Sequence, residues 1–173
     1  MSIRQRGMVV FAWVVMAASA TVANAGDSDL LRQIQDRADI EQLMWRYVRA
    51  LDSGDAEAYA ATFAANGQFG RGANATKGKD ALKKMISDMR QRNAESEAKG
   101  EPKRPPMYHV IANSHLELID RDHARFHAYW MTVFGQDGEK TPPRVAAAGR
   151  EVDDLVRVKG QWLIQVRDVN PSE

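Results

Sequence analysis

Three side chains of the kind that move protons are spaced so that one fold could gather them: Tyr47, Asp52 and His109. Asp52 follows Val48 by one helical turn, which keeps it on the apolar side of a helix-forming stretch just where that stretch ends. A carboxylate there is costly unless something pairs with it, and its ordinary role would be to cap the turn that begins at Ser53-Gly54. His109 opens a long extended stretch, and the period of two puts it on one face with Ile111 and Asn113. It reads either as a satisfied core histidine or as a base working near neutral pH. Tyr47 lies in the apolar stripe of the same helix as Asp52, either as a core aromatic or as a hydroxyl donor at a pocket. The chemistry such a set could perform is general acid–base work on a small molecule.

The elements that must hold these residues follow from apolar periodicity. Leu31, Ile34, Ile40, Leu43, Tyr47 and Leu51 recur at helical steps, with Asp36 and Asp39 as candidate caps for an internal restart. The helix should stop at Ser53-Gly54. Asp55 can cap a second one carrying Ala58, Tyr59, Thr62 and Phe63. Asn66-Gly67 marks a turn into a short extended segment over 68–71. Leu82, Met85, Ile86 and Met89 predict a third helix from Lys79 to about Glu97, and KGEPKRPP, residues 99–106, is a loop. Strands are expected over 108–119, 124–135, 143–159 and 161–169, with turns at Asp120-Arg121-Asp122, Gln136-Asp137-Gly138 and Lys159-Gly160. Three helices followed by four strands is an α+β pattern, with the helices on one face of an antiparallel sheet.

Composition narrows the function. Arg4 and Arg6 precede an apolar run from Met8 to Ala20 and then Ala23-Asn24-Ala25, the layout of a secretory signal over 1–25 with an A-x-A cleavage site, followed by one domain over 26–173. The run is shorter than a bilayer span, so stable membrane insertion after cleavage is not expected, and the product would be periplasmic or secreted. Cleavage removes two arginines and no acid, turning a formal charge of +1 into a near-neutral balance that gives no electrostatic case for nucleic acid. There is no cysteine, hence neither disulfide nor thiolate. The histidines His109, His115, His123 and His127 straddle two strands and opposite faces, so no metal site is proposed, and the glycines match no phosphate-binding loop.

The blocks ADIEQLMWRYVRALDSGDAEAYAATFA, HVIANSHLELID and AAGREVDDLVRVKGQWLI, in that order from Ala38 onward, resemble the SnoaL-like branch of the nuclear transport factor 2-like superfamily. The resemblance implies a curved antiparallel sheet packed on three N-terminal helices, forming a cone with a central, mostly apolar pocket and no cofactor. It also implies that homodimerisation through the convex sheet is common. Asp52 and His109 match the catalytic aspartate and histidine of the scytalone and bile-acid dehydratases, with Asp52 fixing the tautomer of His109. Tyr47 matches a tyrosine that binds a substrate carbonyl or leaving oxygen. Phe69, Asn113, Trp130, Thr132, Phe134 and Arg150 are then candidates for the pocket lining, Arg150 as a group polarising a carbonyl or as one partner of a salt bridge.

Departures from the relatives matter equally. Gly70-Arg71 stands where isomerases carry a catalytic aspartate, and Thr132 and Phe134 stand near a second acid or histidine of the dehydratases. Two functions follow: a cofactor-free hydro-lyase, or related isomerase, acting on a small apolar hydroxy-carbonyl compound of polyketide, phenolic or steroid type; or an exported small-molecule-binding or assembly module of the same fold.

Overall fold

The computed structural model describes residues 17–136 and 142–171, with side chains from residue 26 onward. Most of the proposed signal segment, and the turn at Asp137-Gly138, lie outside the described residues. The chain falls into two compact units, residues 1–35 and 36–173. No described helix is long and apolar enough to cross a membrane.

Helix α1 spans Ala17–Ser53 without a break, so Asp36 and Asp39 cap nothing. Leu31 and Ile34, early members of the apolar stripe, are 66% and 55% exposed. Asp36 is instead buried and receives hydrogen bonds from the Arg157 guanidinium and, at 3.3 Å, from the Trp162 indole. The stop at Ser53-Gly54 occurs as expected. Gly54 adopts φ +66°, Gly54 N–H donates to Leu51 O at 3.1 Å and Asp55 N–H to Ala50 O at 2.9 Å, a Schellman closure. Asp55 then caps α2 (Ala56–Ala61) by accepting from Ala58 N–H at 3.0 Å.

Phe63 opens strand β1 (Phe63–Phe69) rather than closing α2. Asn66-Gly67 is not a turn; the strand runs through it with a shift of register. A Cβ on Gly67 would stand 2.7 Å from Ile164 O, so a side chain would push β1 off its neighbour. A short 3-10 turn (Gly72–Asn74) and β2 (Thr76–Lys77) lead into α3 (Lys79–Ala98), which matches the third expected helix.

Four long strands follow as the alternation predicts: β3 (Met107–Leu118), β4 (His123–Phe134), β5 (Arg144–Val158) and β6 (Gln161–Asp168). The curved sheet has six strands in the order β2-β1-β6-β5-β4-β3, antiparallel except that β1 runs parallel to β6. The second unit is thus α+β. Its core joins Ile40, Leu43 and Tyr47 of α1 to Leu82 and Ile86 of α3 and to the inner face of the sheet. Strand β3 is an edge.

One irregularity changes which residues face inward. Between Ala112 and His115 the β3–β4 register shifts, with Asn113 at φ +51°, so two residues of β3 oppose Ala128. The bulge takes Asn113 off the face it was expected to share with His109 and Ile111. It also brings His115 beside His127, ring centroids 6.0 Å apart, on the same outer face and not on opposite ones.

Replacing Gly67 by alanine is expected to destabilise the fold by about 2 kcal/mol, read as a lower urea midpoint with an unchanged m-value. An unchanged midpoint would show that β1 can move away from Ile164 freely.

Candidate functional site

The site is built where the end of α1 meets the start of β3. The Schellman closure places Asp52 in the last helical turn, close to the negative end of the helix dipole, where a carboxylate is disfavoured. His109 offsets that cost with two hydrogen bonds to the same oxygen. Its backbone N–H donates to Asp52 Oδ1 at 3.0 Å, and its Nδ1 lies 2.7 Å from Oδ1. The two side chains are 11% and 19% exposed. An ionised carboxylate only accepts, so the proton of a neutral His109 sits on Nδ1 and Nε2 carries the lone pair.

His109 stands on the wall of a cavity of about 1050 Å³ between α1 and the β3–β4 part of the sheet. The middle of that wall is apolar, supplied by Ile40, Met44 and Val48 of α1 with Ile111, Leu116 and Phe126 of the sheet. Arg37, Glu41, Gln42, Trp45 and Ser114 add polar and aromatic groups. Asp52 is not on the wall; it stands behind His109. Gly54, which fixes the helix end, is itself packed by Arg90 of α3, whose Nη1 donates to Gly54 O at 3.3 Å.

Tyr47 lies elsewhere. It is 2% exposed, its ring 5.2 Å from that of Tyr59 and 6.1 Å from that of Phe63, with the Arg167 guanidinium 4.1 Å from its centroid. Burial pushes its phenol above the usual value, the charge of Arg167 working against this. The expectation that Tyr47 lines the pocket is therefore corrected: it is a core residue that covers a buried cation.

The proposed lining is divided in the same way. Thr132 is the cross-strand partner of His109, and Trp130 that of Ile111, so both share the inner face. The Trp130 indole is fixed by hydrogen bonds to Arg150 O and Val169 O at 3.1 and 3.0 Å, and its ring lies where a Cβ on Gly149 would be. Phe134 pairs with Met107 and carries the Arg144 guanidinium 4.8 Å from its ring centroid. Phe69 packs against the core. Arg150 does not enter the main cavity; with Asn113, His127 and Tyr129 it lines a separate cleft of about 250 Å³. Arg71 joins β1 to β5 and β6 through Asp154 and Asp168 at 2.8 and 2.9 Å.

The reading from sequence missed the group on the inner face of β5. Glu151, Asp153 and Leu155 point inward, not Arg150 and Val152. Arg167 of β6, 3% exposed in its side chain, reaches Glu151 Oε2 and Asp153 Oδ2, each at 2.5 Å. Glu151 Oε1 and Asp153 Oδ1 are buried without a hydrogen-bond partner. Two carboxylates thus share one guanidinium. Burial pushes Asp153 up to about 7, with Arg167 opposing and Glu151 adding to the rise, and burial raises Glu151 too. The signal was an E-x-D pair at strand period followed by Arg167, the one arginine of the QWLIQVRD strand.

With this geometry in view, the comparisons with known proteins agree on the class. Residues 32–168 match the model of the SnoaL-like domain, and the chain belongs to that family. Its fold is shared by a nuclear transport factor 2-like protein with a cystatin-like fold from Novosphingobium aromaticivorans, at TM-score 0.65 and 21% identity over 82% of this chain and 84% of that one. A second protein of that organism, provisionally called a scytalone dehydratase, is similar at TM-score 0.61 and 21% identity, over 82% and 87% of the two chains. A protein from Catenulispora acidiphila, solved in complex with S-DNPA, is similar at TM-score 0.63 and 21% identity, over 79% and 93%. No curated protein matches the chain.

The buried acids make stability depend on pH. The folded chain keeps on Asp153 a proton that the unfolded chain releases near its ordinary 3.8, so this contribution is full below that value and is lost as pH rises to about 7. Thermal midpoints should fall across this window, and Asp153→Asn should flatten the fall. An equally steep decline in the variant would place the titration elsewhere. At the cavity, long-range proton–nitrogen NMR correlations should report the Nδ1–H tautomer of neutral His109, with Asp52→Asn losing that preference.

Proposed function

We propose that this protein is a cofactor-free lyase that removes water from a small, largely apolar hydroxy-carbonyl compound held in the α1–β3 cavity. The observation that carries the reading is the Asp52–His109 pair, with His109 on the cavity wall and Asp52 behind it. His109 Nε2 takes the proton from the carbon next to the carbonyl, and that electron pair forms the new double bond as the carbon–oxygen bond of the hydroxyl breaks. The same imidazolium then returns its proton to the departing oxygen, which leaves as water. Asp52 orients the ring and stabilises its cationic form, a role worth several orders of magnitude in comparable arrangements. With Tyr47 enclosed in the core, one acid–base group serves both proton transfers. The neighbour provisionally called a scytalone dehydratase supports the reaction class by likeness of fold.

Export through the 1–25 segment also stands as a proposal; an exported protein whose N-terminus is still Met1 would count against it. So does a homodimer. Tyr108, Tyr129 and Val145, on the outer face of β3, β4 and β5, are 48%, 51% and 58% exposed, an apolar surface suited to a second copy. Light scattering should then give twice the chain mass, and Tyr129→Glu half of that; a monomeric native protein rejects the dimer.

The reaction is tested by offering hydroxy-carbonyl compounds and following the ultraviolet absorbance of the conjugated product. On a compound that turns over, His109→Gln should cost at least about 100-fold in kcat and Asp52→Asn at least about tenfold, with both variants folded. Unchanged turnover in His109→Gln would reject the mechanism. Binding without turnover across the panel would favour a purely binding module.

A further inference from the structure

The cavity is long and its two ends differ. His109 and Val48 mark one end. At the other, Arg37 lies eleven residues earlier on α1, about 16 Å away at the helical rise, and its Nη1 donates to Leu116 O of β3 at 3.3 Å. Between them the wall is the apolar strip of Ile40, Met44, Val48, Ile111, Leu116 and Phe126. Among the described residues Arg37 is the only arginine or lysine on that wall. Its neighbour Asp36 faces inward to Arg157 and Trp162, and Arg37 makes no ion pair among the described residues. Glu41, one turn further along, is exposed on the lip.

We infer that the ligand of this cavity is an elongated apolar molecule bearing an anionic group, which Arg37 binds at the end of the cavity opposite His109. The inference deepens the proposed function and rests on the reading that the cavity is where substrate lies. A guanidinium suits this task because it is planar, always charged and able to offer two parallel N–H donors to a carboxylate while keeping its bond to Leu116 O. An anion at that end fixes the register of the largely apolar body in the strip, so that one chosen carbon comes to rest under His109 Nε2. Arg37 is thus a specificity residue. It does not take part in the proton transfers.

The test uses two probes of matched length, dodecanoate and dodecanol, titrated calorimetrically into the purified protein below their aggregation limits. The native protein should bind dodecanoate about tenfold more tightly than dodecanol. Arg37→Gln should lose that margin by weakening dodecanoate about tenfold while leaving dodecanol unchanged, and Arg37→Lys should restore part of it. Equal affinities in the native protein overturn the inference. So does an Arg37→Gln variant that weakens both probes alike, since Arg37 would then only brace α1 against β3, and so does failure of dodecanoate to bind. Failure of the lyase reading would register separately, in the turnover of His109→Gln, which these probes do not report.

Discussion

Two polar links hold α1 against the edge strand β3 across open space, and the site depends on them. At one end Asp52 Oδ1 accepts from His109 twice; at the other Arg37 reaches the carbonyl of Leu116. Between the links the helix and strand are separated by the cavity, so side-chain packing cannot fix their spacing there. Each link rests on a charged partner, of a kind worth about 1.5–3 kcal/mol when well formed. An edge strand has a free side that invites wrong pairing, and binding it to a helix near both its ends also limits that hazard.

The other fixed point of the second unit is the buried arginine. Arg167 lies beneath the Tyr47 ring and between two carboxylates, so it ties β6 to β5 and to the centre of α1. Removing an ion from water costs several kcal/mol, and the two acids with the aromatic face return part of that. The excess carboxylate is accommodated by holding a proton. This arrangement explains why Tyr47 is unavailable to a ligand: its face covers a cation that has nowhere else to go. It also sets the rotation of α1, which turns Met44 and Val48 toward the cavity.

Much of this was legible in the sequence. The helix stop at Ser53-Gly54, the cap at Asp55, the third helix and all four long strands follow from periodicity and turn chemistry, which act over a few residues. The α+β class follows from their order. What escaped depended on contacts between distant segments or on one-residue shifts. Asn113 lies in a bulge that no local pattern announces, and the shift reversed the faces of everything after it on β3. The roles of Tyr47 and Arg150 stayed open between two readings because an aromatic in an apolar stripe, or an arginine beside valines, looks the same whether it faces a cavity, a buried charge or solvent. Arg37 and the length of the cavity were invisible because they exist only through the distance between α1 and β3.

The double use of Asp52 separates a structural role from a chemical one. To tether β3 to the end of α1, the bond from the His109 backbone N–H to Asp52 Oδ1 would suffice, and any residue except proline at position 109 could donate it. The second bond, from Nδ1, adds little to the tether; its effect falls on the imidazole, selecting the tautomer that leaves Nε2 basic at the cavity wall. A container for apolar ligands gains nothing from a basic nitrogen with an orienting carboxylate behind it, and bears the cost of a carboxylate at a helix C-terminus. That cost is better accounted for by proton transfer than by shape. The same reasoning bears on the proposed lyase: Thr132 and Phe134 stand where a second acid or base would, which leaves the imidazole to both receive and return the proton in that proposal.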